Sequence, residues 1–113
     1  MLEVDGRMLV DSFLYYEYGG TGDGVWQGEE YAEPIEISNV RIDRSTHYTR
    51  DSTQTKIVAE AIIFCYASHT TPLKDFKEQS KVSYDGKEYI INKVIMNKEP
   101  FADKVWSYEL ELI

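Results

Sequence analysis

The chain reads as an all-β protein with a minor helical component: a small antiparallel β-barrel with one long inter-strand loop and one short helix. Three observations lead there. Residues 105–113 alternate, with Trp106, Tyr108, Leu110 and Leu112 of one parity and Ser107, Glu109 and Glu111 of the other, the pattern of a half-buried antiparallel strand. Asp85-Gly86 separates an alternating Val82/Tyr84 from an alternating Tyr89/Ile91, as in a type I′ hairpin whose two turn residues take positive φ. Residues 57–66 (IVAEAIIFCY) are apolar on both parities except at Glu60, as expected of a central strand covered on both faces. Six or so short strands with turn signals between them make a barrel or a sandwich.

Taken in order, residues 1–4 and 7–10 flank Asp5-Gly6, a tight-turn dipeptide, although residues 1–8 are expected to be weakly tethered, as chain ends usually are. Residues 12–18 (SFLYYEY) are aromatic enough for a strand. The segment GGTGDGVWQGEEYAEP that follows carries five glycines and suits a loop. Within it Trp26 and Tyr31 either fold back on the core or anchor a partner. Ile35 and Ile37 share one parity while Val40 and Ile42 share the other. One face can hold all four only if an extra residue is inserted, so a β-bulge is expected near Ser38-Asn39. The bend that a bulge brings is what a small closed barrel needs. Thr71-Pro72 has the form of an N-cap and first helical residue, and Leu73 and Phe76 sit three apart, so residues 72–79 are expected to form one or two helical turns. Residues 97–104, with Pro100 and Phe101, read as a loop.

The whole chain is organised around residues 40–67. Two apolar runs, 40–42 and 57–66, flank a polar stretch made of Ser45, Thr46, His47, Tyr48, Thr49, Arg50, Asp51, Ser52, Thr53, Gln54, Thr55 and Lys56, apolar only at Tyr48. The expectation is a strand, a long exposed loop and the most buried strand of the domain, with function sought first in the loop.

At 113 residues, with 42% apolar and 28% charged content, one globular domain with a modest core is expected. The net charge of −8 lies in the first third: residues 1–39 hold nine acids and one base, and the remainder is balanced. Such a surface repels phosphate and disfavours a DNA-gripping domain; it also serves plain solubility. Cys65 is the sole cysteine, so neither an intrachain disulfide nor a cysteine metal cage can form. With no apolar stretch approaching a membrane span and no signal-peptide pattern, a soluble, cytoplasmically made protein is expected, with no membrane partner.

Chemistry finds little purchase. GGTGDG lacks the Gly-Lys-Ser/Thr of a P-loop. Asp23, Glu29 and Glu30 do not match an EF-hand spacing. His47 and His69, the only histidines, lack the i, i+4 partners of a helical metal site and read as surface or turn residues. Cys65 sits mid-strand among apolar neighbours, as a core residue does. No catalytic, cofactor-binding or metal residue is therefore assigned. Arg41, Arg44, Arg50 and Lys56 gather around the polar stretch, which permits a small nucleic-acid-binding barrel; salt bridges to an acidic neighbouring subunit are the preferred account of them.

Several segments resemble minor capsid, or head–tail connector, proteins of tailed phages and prophages of Gram-positive bacteria. They are LVDSFLYYEY (9–18), YAEPIEISNVRIDRSTHY (31–48), KIVAEAIIFCY (56–66), GKEYIINKV (86–94) and SYELELI (107–113). The most specific is the run Asn39, Val40, Arg41, Ile42, Asp43. The resemblance implies a structural virion protein of the head–tail neck, made in the host cytoplasm. It implies a head-closure ring of identical subunits that retains packaged DNA, with an adaptor or tail-terminator as the related role. The implied partners are further copies of itself, portal or adaptor proteins, tail proteins, and DNA passing without sequence-specific contact. The loop 45–56 would face the channel and gate it, pairing with neighbouring subunits as strands. The rival classes are a nucleic-acid-binding module and a histidine-based hydrolase.

Overall fold

β-prone, aromatic-rich segments alternate with short polar turns, and each becomes a strand in the computed structural model, which describes residues 6–19, 31–50 and 55–113. The strands are β1 (Asp11–Tyr16), β2 (Ile35–Asp43), β3 (His47–Arg50), β4 (Thr55–Ala59), β5 (Ala61–Tyr66), β6 (Lys81–Tyr84), β7 (Lys87–Lys98) and β8 (Val105–Leu112). Six of them close an antiparallel barrel in the order β1-β2-β5-β8-β7-β6, while β3 and β4 form a separate two-stranded sheet. The β1–β6 pairing, from Leu14↔Ser83 to Tyr16↔Lys81, shuts the barrel. The all-β barrel matches the expectation from sequence.

The bulge lies where the parity switch puts it. Asp11 pairs with Val40 and Ser12 with Ser38, leaving Asn39 as the extra residue, at φ 61°. Asn is among the few side chains that accept this left-handed backbone. Ile37, Val40 and Ile42 consequently all face the core, while Ile35, at the strand's start, stays 37% exposed. Neighbouring chain ties the bulge down: Thr70 Oγ1 donates to Asn39 O at 2.9 Å and Asn39 Nδ2 to His69 O at 3.2 Å. The Asp85-Gly86 hairpin also matches, with φ of 51° and 75° and Tyr84 opposite Lys87.

Four expectations need correction. Residues 72–79 form no helix. The Thr71 N–H and carbonyl are engaged with Ser38, and the Lys77 N–H donates to Tyr15 Oη at 2.9 Å, so these groups are not available for helical bonding. Leu73 and Phe76 do not act together: Leu73 is 37% exposed, whereas Phe76 is buried edge-on to Tyr15 and Tyr108, at 5.1 and 5.4 Å between centroids. The segment is a plug with one aromatic tooth. Secondly, residues 57–66 are not one strand; Glu60 interrupts them, and its N–H donates to Leu112 O at 2.6 Å. Thirdly, the polar stretch 45–56 is not a simple loop, since β3 and β4 occupy half of it. Finally, Gly6–Met8 is a 3-10 turn and the following residues up to Val10 form no strand, while residues 1–5 lie outside the described residues.

The core takes inward residues from every barrel strand: Phe13 and Tyr15, Ile37, Val40 and Ile42, Ala61, Ile63 and Cys65, Val82 and Tyr84, Ile91, then Tyr108, Leu110 and Leu112. A second bulge, at Asn92 between the pairs Ile91↔Leu112 and Lys93↔Glu111, lets Ile91 and Val94 serve the same core despite opposite parity. Tyr15 Oη is buried and satisfied by Ser80 Oγ at 3.2 Å as well as by Lys77 N–H, as a buried hydroxyl requires.

Two substitution series test this. Phe76→Ala is expected to cost about 3–5 kcal/mol in denaturant unfolding, the usual penalty for emptying an aromatic core site. Asn39→Gly is expected to be nearly neutral, and Asn39→Val to lose at least about 1–2 kcal/mol to the left-handed backbone; equal losses would place the cost in the side-chain bonds instead.

Candidate functional site: a ribbon rooted on the barrel

β3 and β4 continue a strand pair that already exists. In the barrel Arg41, Ile42 and Asp43 of β2 pair with Phe64, Ile63 and Ile62 of β5. Beyond a kink the pairing resumes at His47↔Ala59 and runs through Tyr48↔Ile57 and Thr49↔Lys56 to Arg50↔Thr55. The expected strand–loop–strand is thus one long, kinked hairpin whose outer part leaves the barrel as a two-stranded ribbon. Threonines and β-branched residues at 49, 55, 57 and 58 favour extended backbone.

The kink is fastened by side chains. Asp43 Oδ1 accepts from the Ser45 N–H at 3.0 Å and also from Ser45 Oγ, an Asx turn of the kind that Asp-x-Ser sequences form. Asp43 Oδ2 lies 3.3 Å from His47 Nε2, a buried ring nitrogen with no hydrogen-bond partner among the described residues. The Ser45 hydrogen bonds, with smaller help from His47 and Arg41, hold the Asp43 carboxyl below its ordinary range.

Arg44 is the second fastening. Its Nη2 donates to Asp11 Oδ1 at 3.1 Å and its Nε to Asp85 Oδ2 at 2.8 Å, and its guanidinium lies 5.5 Å from the Tyr84 ring centroid. Asp11 Oδ2 also accepts the Ile42 N–H at 3.0 Å. One half-exposed guanidinium therefore ties the end of β2 to the start of β1 and to the β6–β7 turn. The hydrogen bonds to Asp85 and Asp11 push its already high pKa further up.

Of the loop residues proposed from sequence, Ser45 is exposed at the kink, Thr46 and His47 are half-buried, and Tyr48 is 62% exposed on the ribbon. Thr49, Arg50, Thr55 and Lys56 are ribbon strand positions; Asp51, Ser52, Thr53 and Gln54 lie outside the described residues. Trp26 lies outside them too, with Asp23, Glu29 and Glu30. Tyr31 is elsewhere on the molecule: it bridges Tyr18, with ring centroids 5.9 Å apart, and Lys81 Nζ sits 5.2 Å from its ring.

His69 is in the turn after β5, beside Ser68 Oγ at 2.7 Å, and its carbonyl meets Asn39, at the end of the β2–β5 pair away from the His47 ribbon. Cys65 is fully buried, and burial pushes its thiol pKa well up. Among the described residues, no three His, Cys, Asp or Glu side chains gather as metal ligands, and no helix is long and apolar enough to cross a membrane. Sequence reasoning missed Arg44, Asp11 and Asp85 as a unit. They lie 33 and 41 residues apart, and no local pattern links them; the Asp43-Ser45 turn did have a readable signal.

The Asp43 turn gives a titration test. A carboxyl whose folded pKa is depressed adds stability above its unfolded pKa of about 4 and loses it as pH falls through the folded value. By NMR, Ser45→Ala is expected to raise the Asp43 pKa more than His47→Ala does; the reverse order would make the imidazole the main partner.

The comparisons with known proteins come to this geometry from outside. The family model described as minor capsid protein matches residues 6–112. A protein named only as uncharacterized protein ORF5, from Lactococcus phage LL-H, is 25% identical over 91 residues, covering 78% of this chain and 71% of its own length. No solved structure matches the chain.

Proposed function

The chain belongs to the minor capsid protein family, and on that premise we propose that it is a head-closure component of the phage neck, one subunit of a ring that retains packaged DNA and docks the tail, with no enzymatic activity. The family makes it a structural protein of the phage virion; position in the neck, ring formation and gating are the further steps of the proposal. The observation that carries them is the ribbon. A closed barrel needs nothing outside itself to satisfy its strands, yet here a strand pair runs out of the barrel and is braced at its root by Asp43 and Arg44. A braced projection repeated by a ring's symmetry can reach into a central channel, and weak contacts made by each copy then multiply.

The electrostatics support passage of DNA rather than its capture. Arg44 is occupied by two carboxylates of its own chain, which subtracts from the basic group near the ribbon. The net charge of −8 also disfavours phosphate. The partners follow as other copies of this chain, portal or adaptor proteins above, and tail proteins below.

Deleting residues 46–55 tests the gate. Of these positions, Thr46, His47 and Tyr48 have described side chains and stand outside the core cluster, and the barrel is expected to fold with a melting temperature close to that of the full chain. Particles carrying the deletion are expected to fill with DNA and then lose it, measured as nuclease-sensitive DNA outside heads. Full DNA retention sinks the gating role.

A further inference from the structure

We propose that the outer edge of β3 in one copy adds as a strand to the open edge of β7 in a second copy, so that each ribbon is braced by its neighbour's barrel. This rests on the ring reading above and adds to it the surfaces through which copies meet.

The argument starts from unpaired backbone. β7 is twelve residues long, but β6 covers only its first part, the last pair being Lys81↔Ile90. The chain beyond the plug covers a little more: Gln79 N donates to Ile91 O, and Ile91 N to Ser80 O. Next along that edge, the Val94 N–H is met by a side chain, Glu78 Oε2 at 3.2 Å. A strand residue directs its N–H and C=O to the same side in an antiparallel ladder, and alternate residues share that side. Val94 therefore faces away from β8, and so does Met96. Among the described residues no strand pairs with β7 on that side beyond Ile91. The Met96 side chain is 47% exposed in the same place.

The ribbon has the matching deficiency. β3 pairs only with β4, and β4's root is held against β8 by the Glu60 N–H to Leu112 O bond. Among the described residues, the far edge of β3 has no strand beside it. A two-stranded ribbon is marginally stable in water and gains most from a third strand, while an open edge is a template for one. Each copy thus carries one strand edge that lacks a neighbour and one barrel edge that lacks a strand. Pairing them between copies is a head-to-tail contact that uses two different surfaces, the kind that closes into rings. A polypeptide strand is the occupant this chemistry selects, since what the edge offers is alternating amide donors and carbonyl acceptors rather than a cationic surface.

Disulfide trapping in assembled particles tests the contact. Met96→Cys is combined in turn with Thr46→Cys, Tyr48→Cys and Arg50→Cys to scan the register; directly opposed positions bring Cβ atoms within bridging distance. Native Cys65 is fully buried and stays out of the reaction. The expected result is a ladder of disulfide-linked multimers on non-reducing gels for at least one double variant, and none for any single variant. Rings seen in the particle neck without cross-links at any of the three positions would overturn this contact and leave the ring reading standing. A neck holding one copy of the chain would overturn both.

Discussion

A β-strand has two faces, and β2 must give the same core to both of its halves. Ile37 precedes Asn39 and Val40 follows it; without an inserted residue they would point opposite ways. The left-handed backbone at Asn39 supplies that residue, and with it the bend that sends the second half of β2 from its partner β1 to its partner β5. Barrel closure depends on this change of partner, and so does the direction in which β2 leaves the barrel at Asp43. The ties from Thr70 and His69 hold the bend from outside, while β2's inward residues hold it from within.

That constraint was legible because it leaves a trace in the order of residues. Apolar parity switches between Ile37 and Val40, and only an extra residue reconciles the two. The same trace was present in β7, where Ile91 and Val94 differ in parity, and it marks the Asn92 bulge just as well. The Asp85-Gly86 turn and the β8 alternation were readable for the same reason: their physics is local. What could not be read was set by distant partners. Thr71-Pro72 looks like a helix start until Ser38 engages Thr71 and Tyr15 takes the Lys77 N–H. The polar stretch 45–56 has loop composition, yet His47 and Tyr48 pair with Ala59 and Ile57 of the apolar run that follows, and Thr49 and Arg50 pair with Lys56 and Thr55 within the stretch itself, so cross-strand pairing outweighs local preference. Glu60, the one polar residue in that run, was the visible hint that it is two strands. Ser107 shows the limit from the other direction: it has the outward parity and is nonetheless buried, beneath Asn97, whose amide donates to both Ser107 Oγ and Glu109 Oε2.

The site reading and the family reading meet in the hairpin formed by β2–β3 and β4–β5. Family membership says that the molecule is part of a virion, and nothing in that statement requires an active centre. The described titratable groups fit it: the shifted tyrosines and cysteine answer to burial first, as with Tyr108, pushed up to about 12 by burial and by its bond to Asp75. The most elaborate polar arrangement among the described residues is that of Asp11, Asp43, Arg44, His47 and Asp85. It sits where a projecting element joins its support, and its geometry serves to fix an angle.

The route by which the ribbon joins the barrel has a mechanical consequence. Both of its strands enter through β2 and β5, which are hydrogen-bonded neighbours at Arg41↔Phe64, Ile42↔Ile63 and Asp43↔Ile62. A push on the ribbon's far end therefore drives these two strands the same way as one unit, and the load passes as shear to the ladders on either side of them, β1–β2 and β5–β8. The β1–β6 seam lies on the other side of the strand order and carries no direct share of that load. A hairpin entering through strands that were not neighbours would instead pry the wall apart one bond at a time. Pressure on the projection would meet resistance from the β1–β2 and β5–β8 ladders at once, while the bonds between β2 and β5 stay unstrained.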